Sequence, residues 1–312
     1  MDYLMGIDGG GSTVRAVIVT NDLQVAGESK GPTANPNLVG RPTALKTIQT
    51  AMTDAITEAG IPVQAIRAVG IGVAGAEASH SEAWLREVVS GVTPDAYIAP
   101  SGDHEIALVG AHGAHRGILV LAGTGSLACG VGSAGEYHVI GARGYLLGDE
   151  GSGYWIGKEG LIAAIRDDDG RGRHTQLTAA LLEKLQLANV EALIPWMYHS
   201  GVSRTKEVAA LAGTVLETAE QGDRVALEIV WKAADELALA IRAVNYRLNM
   251  EQLPVAFAGG LLSFMNPLSR ALCNLIRLTE IPLPKYSAAI GGAILAQSAL
   301  ARSGLTGGKR GA

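Results

Sequence analysis

The most informative stretch for the fold is Leu4-Met-Gly-Ile-Asp-Gly-Gly-Gly-Ser-Thr-Val-Arg-Ala-Val-Ile-Val19. An apolar run ends at Ile7, Asp8 interrupts it, and three glycines and two hydroxyl residues precede a second apolar run that begins at Val14. Two strand-like runs around a glycine cluster predict a β-hairpin. Because the three glycines carry no Cβ, a phosphate could reach the backbone N–H groups of this turn. Ser12 and Thr13 could add hydroxyl donors.

This pattern taken alone has two interpretations, a phosphate-binding loop and an ordinary tight turn. Asp8 could hold a hydrated Mg²⁺ in the first interpretation, since magnesium prefers oxygen ligands. The stretch has no G-x-x-x-x-G-K-[ST] pattern, and no helical pattern follows it as a dinucleotide-binding unit requires.

Composition limits the classes of protein to consider. A chain of 312 residues, 48% of them hydrophobic and 18% charged, predicts a globular protein of two domains. The net charge of −5 predicts no nucleic-acid partner. The absence of a run of 18 apolar residues and of a signal-peptide pattern at the N-terminus predicts a cytoplasmic protein without a membrane partner. Cys129 and Cys273 have no metal-like spacing and are predicted to be buried thiols.

The glycine turn recurs twice along the chain. Gly123-Thr-Gly-Ser follows the strand-like run 117–122 and precedes another, 127–131, so it repeats the form of Gly9-Gly-Gly-Ser. This repeat suggests two similar α/β halves, each presenting one loop to a shared cleft. Gly259-Gly260 ends a third strand-like run and precedes a predicted helix from about residue 267, where a nucleoside could lie against the backbone. Three such turns favour a nucleoside triphosphate with Mg²⁺ as the ligand.

Three carboxylates have both a structural and a functional interpretation. Asp103 follows a predicted strand and a Pro-Ser-Gly loop, where it would either cap the next helix or act as the general base of a phosphoryl transfer. Asp149 and Glu150 precede a predicted helix from about residue 154, where they would either cap its N-terminus, a role that the helix dipole favours, or accept hydrogen bonds from sugar hydroxyls.

The remaining chain is predicted to be mostly helical. Periodicity and breaks predict helices at 175–187, 189–198, 205–221, 223–249 and 287–301. Asp167-Asp-Asp169 is interpreted as a solvated loop rather than a metal site, because nothing orders its carboxylates around one ion. The tail 303–312 is predicted to be flexible.

Several motifs, in this order, resemble one family. They are Asp8-Gly-Gly-Gly-Ser, Thr33-Ala-Asn-Pro-Asn, Ser101-Gly-Asp, Ala122-Gly-Thr-Gly-Ser, Gly148-Asp-Glu-Gly-Ser-Gly-Tyr-Trp-Ile and Ala258-Gly-Gly. The chain resembles the BadF/BadG/BcrA/BcrD ATPase family over about residues 3–300, and within it the N-acetylglucosamine kinases. The resemblance implies an actin/hexokinase-like fold of two ribonuclease H-like α/β domains hinged around a cleft. We expect domains at 1–116 and 117–302, the second containing a helical insertion, with the last helix packing back on the first.

The resemblance also implies a reaction and a set of site residues. The reaction would be transfer of phosphate from ATP to the 6-hydroxyl of an amino sugar, N-acetylglucosamine or glucosamine, with Asp103 as the base and Asp8 holding Mg²⁺ through water. We expect a homodimer. The sugar is assigned to Asn35, Asp103, Ser126, Gly144, Asp149 and Glu150, and the nucleotide to Gly10, Gly11, Ser12, Thr13, Gly123, Thr124, Gly125, Gly259, Gly260 and Ser263.

Alternative functions remain open at this point. The same residues would serve a kinase of glucose or N-acetylmuramate, or a non-kinase ATPase that regulates a partner. The chain has Ala142-Arg-Gly-Tyr where the animal N-acetylglucosamine kinases have a Trp-containing run. No residue of this chain is therefore assigned to the recognition of an N-acetyl group. The reductase activators of the family hold an iron–sulfur cluster on paired cysteines, and Cys129 and Cys273 lack that context.

Overall fold

A computed structural model describes residues 2–76, 78–198, 204–250 and 253–304. The chain divides into two compact units, Met1–Gly117 with Pro284–Ala312 and Ile118–Leu283. The strands are β1 (Tyr3–Gly9), β2 (Thr13–Thr20), β3 (Val25–Pro32), β4 (Ile66–Val73), β5 (Tyr97–Ser101), β6 (Gly117–Ala122), β7 (Ser126–Val131), β8 (Tyr137–Gly141) and β9 (Val255–Ala258).

Helices follow or separate these strands along the chain. They are α1 (Pro36–Val39), α2 (Arg41–Ala59), α3 (Ala78–Ser90), α4 (Asp103–His112), α5 (Gly153–Asp168), α6 (Leu177–Leu185), α7 (Leu193–Tyr198), α8 (Thr205–Glu220), α9 (Arg224–Arg247), α10 (Pro267–Ile276) and α11 (Ala288–Arg302).

The first unit is built on a five-stranded sheet of order β3-β2-β1-β4-β5. The predicted hairpin is confirmed, because β1 and β2 pair antiparallel from Tyr3 opposite Thr20 to Gly9 opposite Val14. β4 pairs with β1 and β5 pairs with β4, both in parallel. The carboxyl ends of β1, β4 and β5 therefore lie at one edge of the sheet, and Asp8 and Asp103 are positioned there.

A third strand extends the hairpin, which the sequence pattern did not predict. β3 pairs antiparallel with β2 at the edge of the sheet. Its central residues Glu28, Ser29 and Lys30 are polar because only part of an edge strand faces the core. Apolar residues are the sequence signal for a strand, and for the same reason β8, none of whose residues is fully buried, was not predicted.

Helices cover both faces of the first sheet. α2 packs Ile48, Met52 and the alanines between them on one face, and ends at Gly60 in a left-handed conformation. α11 packs Ala289, Ala293 and Ala296 on the other face. The approach of α11 is close enough that a Cβ at Gly6 or Gly70 would overlap its backbone carbonyls.

The second unit repeats part of this topology. Its sheet has the order β8-β7-β6-β9, with β7 and β8 antiparallel and β6 and β9 parallel. This matches β3-β2-β1-β4 of the first unit, position for position. The predicted α/β class, with a helix-rich C-terminal half, is confirmed.

Long helices form the core of the second unit. α9 buries Ala226, Ile229, Val230, Ala233 and the residues that continue this stripe to Val244, the three- and four-residue spacing of one helix face. Its N-cap is Asp223, whose side chain also accepts hydrogen bonds from Thr175 Oγ1 and Gln176 N, each at 2.9 Å.

The prediction of a solvated loop at 167–169 was wrong in part. Asp167 and Asp168 lie in the last turn of α5. Asp167 accepts hydrogen bonds from Thr178 Oγ1 at 2.7 Å and from Thr175 N at 3.2 Å, so it ties α5 to α6. The sequence could not show this because both donors come from the following segment.

Three further predictions concern the two cysteines, membrane-spanning helices and the C-terminal tail. Cys129 and Cys273 are both buried, as predicted. Among the helices of the described residues, none is both long enough and apolar enough to cross a membrane. The predicted flexible tail lies outside the described residues from residue 305 onward.

Candidate active site

The glycine loop of the first unit leaves the sheet after Gly9, the last residue of β1. The carbonyl of Gly9 accepts a hydrogen bond from Ala74 N at 2.7 Å, which ties the loop to the end of β4. The carbonyl of Gly10 accepts a hydrogen bond from Thr33 Oγ1 at 3.2 Å. Gly11, Ser12 and Thr13 remain exposed. The backbone of this loop is therefore anchored at its start, while its tip is accessible to a ligand.

Asp8 is partly buried at the end of β1. Burial raises the pKa of its carboxyl from 3.8 to about 6, and the negative charge of Asp103 adds to this shift, while Arg15 opposes it. Arg15 lies on β2 directly opposite Asp8. A carboxylate with this environment is stabilised by the arrival of a cation.

Asp103 is the first residue of α4, and Gly102 is the N-cap. The capping interpretation of Asp103 was therefore wrong, because the capping position belongs to a glycine. The Asp103 carboxylate lies 3.4 Å from Nδ1 of His104, and its side chain is 24% exposed, so a ligand can reach it. Gly72 at the end of β4 allows this placement, since a Cβ there would lie 2.7 Å from the carbonyl oxygen of Gly102.

Asn35 lies in the same unit, in the segment between β3 and α1. Its Oδ1 accepts a hydrogen bond from Asn37 N at 2.9 Å, so it caps the short helix α1. Its backbone N–H donates to Thr33 Oγ1 at 3.2 Å, and Thr33 is the residue that holds Gly10. The sugar candidate Asn35 and the phosphate-loop candidates are thus joined through one threonine.

Two glycine turns meet in the second unit. Gly123, Thr124 and Gly125 join β6 to β7, and Gly259 and Gly260 follow β9, which is the parallel neighbour of β6. Leu261 N donates to the carbonyl of Ala122 at 3.1 Å. Gly259 has a φ of +88°, and a Cβ there would overlap the Ala122 carbonyl, so the close approach of the two turns requires glycine.

Asp149 connects the Gly123–Gly125 turn to the segment before α5. It has a φ of +58° and accepts hydrogen bonds from the backbone N–H groups of Ser126 and Gly144. Burial raises the pKa of Asp149, and the neighbouring charge of Glu150 adds to this, while the two N–H donors oppose it. The capping interpretation was wrong, because Ser152 is the N-cap of α5 and accepts from Trp155 N at 3.1 Å.

The remaining candidates of the second unit differ in accessibility. Ser126 is buried and donates its hydroxyl to the Glu150 carbonyl at 2.7 Å. The side chain of Glu150 and the backbone of Gly144 are exposed. Ser263 is exposed and donates to the Gly259 carbonyl at 2.7 Å, which closes the turn after β9.

Two groups beside the candidate site were not predicted from the sequence. Arg15 lies in the predicted hairpin, and a cation in the strand after a phosphate-binding loop was a usable signal for it. Glu105 and its partners Ser101 and His115 surround the start of α4. A glutamate in the first turn of a predicted helix was the available signal for this second group.

The residues around Asp8 fit a magnesium ion whose coordination is completed by water and substrate phosphates. Mg²⁺ in nucleotide sites keeps several waters and takes one or two carboxylates together with substrate phosphates. No donor among the described residues forms a hydrogen bond with the Asp8 carboxylate, which leaves its lone pairs available. In the part of the chain that the structure describes, no group of three or more His, Cys, Asp or Glu could hold a metal by itself.

The sheets and their glycine turns define the actin/hexokinase-like ATPase fold. The chain belongs to the BadF/BadG/BcrA/BcrD ATPase family, whose model matches residues 5–296.

Two characterised relatives match most of the chain. One is an N-acetylmuramic acid/N-acetylglucosamine kinase of Clostridium acetobutylicum, 34% identical over 96% of this chain and 99% of its own length. Another is a glucosamine kinase of Vibrio cholerae, 28% identical over 79% of this chain and 82% of its own. A solved structure from Chromobacterium violaceum, proposed to be an N-acetylglucosamine kinase, has a TM-score of 0.74 and 28% identity, and the match covers 95% of this chain and 99% of that chain.

Proposed function

We propose that this protein is an ATP-dependent kinase that transfers phosphate to the 6-hydroxyl of an amino sugar, N-acetylglucosamine or glucosamine. The observation that carries the proposal is the similarity to the Clostridium acetobutylicum sugar kinase along nearly the full length of both chains. The alternative of a non-kinase ATPase is not favoured, because the characterised relatives are sugar kinases. N-acetylmuramic acid is a second candidate acceptor, since that relative is named for both sugars.

In this proposal the first unit supplies the base and the first phosphate contacts. Asp103 accepts the proton of the 6-hydroxyl as that oxygen attacks the terminal phosphorus of ATP, and ADP leaves. Gly10, Gly11, Ser12 and Thr13 donate to phosphate oxygens. Asp8 would hold Mg²⁺ through water, and the ion would supply neutralisation of phosphate charge. Asn35 binds the sugar.

The second unit supplies the nucleotide contacts and the remaining sugar contacts. Gly123, Thr124 and Gly125 bind phosphate, while Gly259, Gly260 and Ser263 bind adenosine. Asp149 and Glu150 accept hydrogen bonds from sugar hydroxyls. Ser126 and Gly144 complete the sugar site next to these two carboxylates. Because Asp149 already accepts two N–H groups, its direction is set before the sugar binds.

We further propose that the chain works as a cytoplasmic homodimer with domains at 1–116 and 117–302. By these bounds the last helix lies in the second stretch of sequence and packs back on the first domain, which the packing of α11 on the first sheet supports.

The test is a coupled assay of ADP release with a panel of acceptors. N-acetylglucosamine or glucosamine is expected to stimulate ADP release, whereas the corresponding 6-deoxy sugars are not, because they lack the accepting oxygen. Glucose and N-acetylmuramic acid complete the panel. ADP release that no sugar stimulates would contradict the proposal, and equal stimulation by a 6-deoxy sugar would exclude the 6-hydroxyl as acceptor.

The role of Asp103 is tested with Asp103→Asn. This variant keeps the shape of the side chain but cannot take a proton, so we expect turnover to fall by about 10²- to 10⁴-fold with binding of ATP and sugar retained. Asp168→Asn is the matched control, since Asp168 is exposed at the end of α5. Near-normal turnover of Asp103→Asn would remove Asp103 as the base.

A further inference from the structure

A partly buried glutamate lies two residues beyond Asp103. Glu105 is the third residue of α4 and its side chain is 20% exposed. One carboxylate oxygen, Oε2, accepts a hydrogen bond from Ser101 Oγ at 2.6 Å, and the other, Oε1, lies 2.7 Å from His115 Nε2. The carboxylate also accepts from the backbone N–H of Gly102.

These three donors surround Asp103 in the chain. Ser101 ends β5, Gly102 is the N-cap of α4, and His115 lies in the loop that follows α4. An N-cap glycine has no side chain to satisfy the exposed N–H groups of the first turn. The Glu105 carboxylate provides half of a capping box instead, because it bonds back to the N-cap N–H.

We propose that Glu105 is a positioning residue for Asp103. By holding Ser101, Gly102 and His115 together, it fixes the first turn of α4 and hence the direction in which the Asp103 carboxylate leaves the helix. The inference rests on the proposed function, since it concerns the base of that reaction.

The environment of Glu105 keeps it in the form that this role requires. Burial by itself would raise its pKa, but the hydrogen bonds from His115, Ser101 and Gly102 outweigh burial and lower it. Glu105 is therefore a charged hydrogen-bond acceptor at neutral pH, and its carboxylate oxygens are used by Ser101, Gly102 and His115. A base needs this kind of support, because a displacement of about 1 Å can cost about 10²-fold in rate.

The position of α4 as a whole does not depend on Glu105. A Cβ at Gly291 of α11 would overlap the Ile106 carbonyl, so the two helices pack backbone against backbone. A Cβ at Gly72 would lie 2.9 Å from Asp103 N, so β4 supports the start of the helix. Loss of the Glu105 contacts should loosen the first turn and leave the helix in place.

The experiment compares Glu105→Ala with Glu105→Gln in the full chain. Alanine removes all three contacts, and we expect kcat to fall about 10- to 100-fold while the KM for ATP is unchanged. Glutamine has the same shape; its oxygen can accept from Ser101 and Gly102, and its amide can donate to a ring nitrogen of His115. We therefore expect Glu105→Gln to retain most of the wild-type kcat. His115→Ala, which removes one contact, should give a smaller loss than Glu105→Ala.

A matched control is Glu207→Ala. Glu207 occupies the same third position in α8, in the second unit, where it pairs with Arg204 at 3.6 Å. This variant should keep the wild-type kcat. Glu207 belongs to the other unit and is distant from Asp103 along the chain, so a loss of helix capping there should not move Asp103.

Two results would overturn the inference. The first is a wild-type kcat in Glu105→Ala, and the second is a kcat in Glu105→Gln as low as in Glu105→Ala, which would assign the effect to charge. Should Glu105→Ala fail to fold, His115→Ala and Glu105→Gln decide: the inference then requires a lowered kcat in the first and a retained kcat in the second. Asp103→Asn separates the two proposals. If this variant is active, the proposed base is contradicted. If it is inactive while Glu105→Ala is fully active, only the positioning role of Glu105 is contradicted.

Discussion

Asp8 at the end of β1 and Asp103 at the start of α4 interact electrostatically within one unit, and after burial the charge of Asp103 is the main cause that raises the pKa of Asp8 to about 6. Two carboxylates that repel each other are held together by a sheet whose parallel strands end at the same edge. A bound cation would relieve this repulsion.

The raised pKa of Asp8 predicts a dependence of stability on pH. Its shift from 3.8 to about 6 means that the folded protein binds the proton more tightly than the unfolded chain. The stabilisation is complete below pH 4 and is lost as the pH rises through about 6. In the absence of Mg²⁺, wild type should lose up to about 3 kcal/mol relative to Asp8→Asn between pH 4 and pH 7. Urea unfolding at a series of pH values measures this, and parallel curves for the two proteins would contradict it.

Asp149 should affect the sugar more than the nucleotide. Asp149→Ala removes the acceptor of the Ser126 and Gly144 N–H groups as well as the proposed sugar contact, so we expect the KM for sugar to rise strongly. Asp149→Asn keeps an oxygen acceptor and tolerates the left-handed φ of +58°, so its effect should be smaller. Steady-state kinetics with each substrate varied tests the prediction. An unchanged sugar KM in Asp149→Ala would leave Asp149 a structural role only.

The packing of α4 on α11 should tolerate no side chain at Gly291. The overlap of a Cβ there is with backbone atoms of Ile106 and Gly110, which rotamer changes cannot relieve. We expect Gly291→Ala to destabilise the protein by about 3 kcal/mol. Gly213 in α8 is exposed, and a Cβ added there would meet no atom within 4 Å, so Gly213→Ala should instead stabilise by about 0.5–1 kcal/mol. Thermal unfolding of both variants measures this difference in stability. A similar loss of stability in both would contradict the proposed packing of α4 on α11.

Asp223 should be the most important cap of the second unit. It is 9% exposed and accepts from Ala226 N, Thr175 Oγ1 and Gln176 N. Asp223→Ala leaves these donors unsatisfied, and we expect a loss of about 2–3 kcal/mol in the free energy of unfolding.

The control for this loss is Asp169→Ala. Asp169 makes a surface ion pair with Arg171, so its removal should leave the free energy of unfolding nearly unchanged. Equal losses in Asp169→Ala and Asp223→Ala would contradict the assignment of Asp223 as a buried cap.

Local patterns were sufficient to predict much of the architecture. The hairpin around Gly9–Gly11 and the helices from Thr205 and Arg224 follow from glycine turns and apolar periodicity, which act over a few residues. β3 and β8 were missed because edge strands carry polar residues. The cap interpretations of Asp103 and Asp149, each stated beside a functional one, were wrong: the N-caps are Gly102 and Ser152, and local sequence does not fix the residue at which a helix begins.

Residue types at short spacings were enough to establish the α/β class, the family and the residues proposed to carry the chemistry. Which of those residues interact became clear only from the folded chain. The pKa of Asp8 is raised by Asp103, and Glu105 in the first turn of α4 contacts Ser101 and His115. Such effects arise from burial and from contacts between segments distant in the chain, which no local pattern encodes. The hairpin after Asp8 could be predicted, but the second carboxylate at the same sheet edge required the tertiary structure.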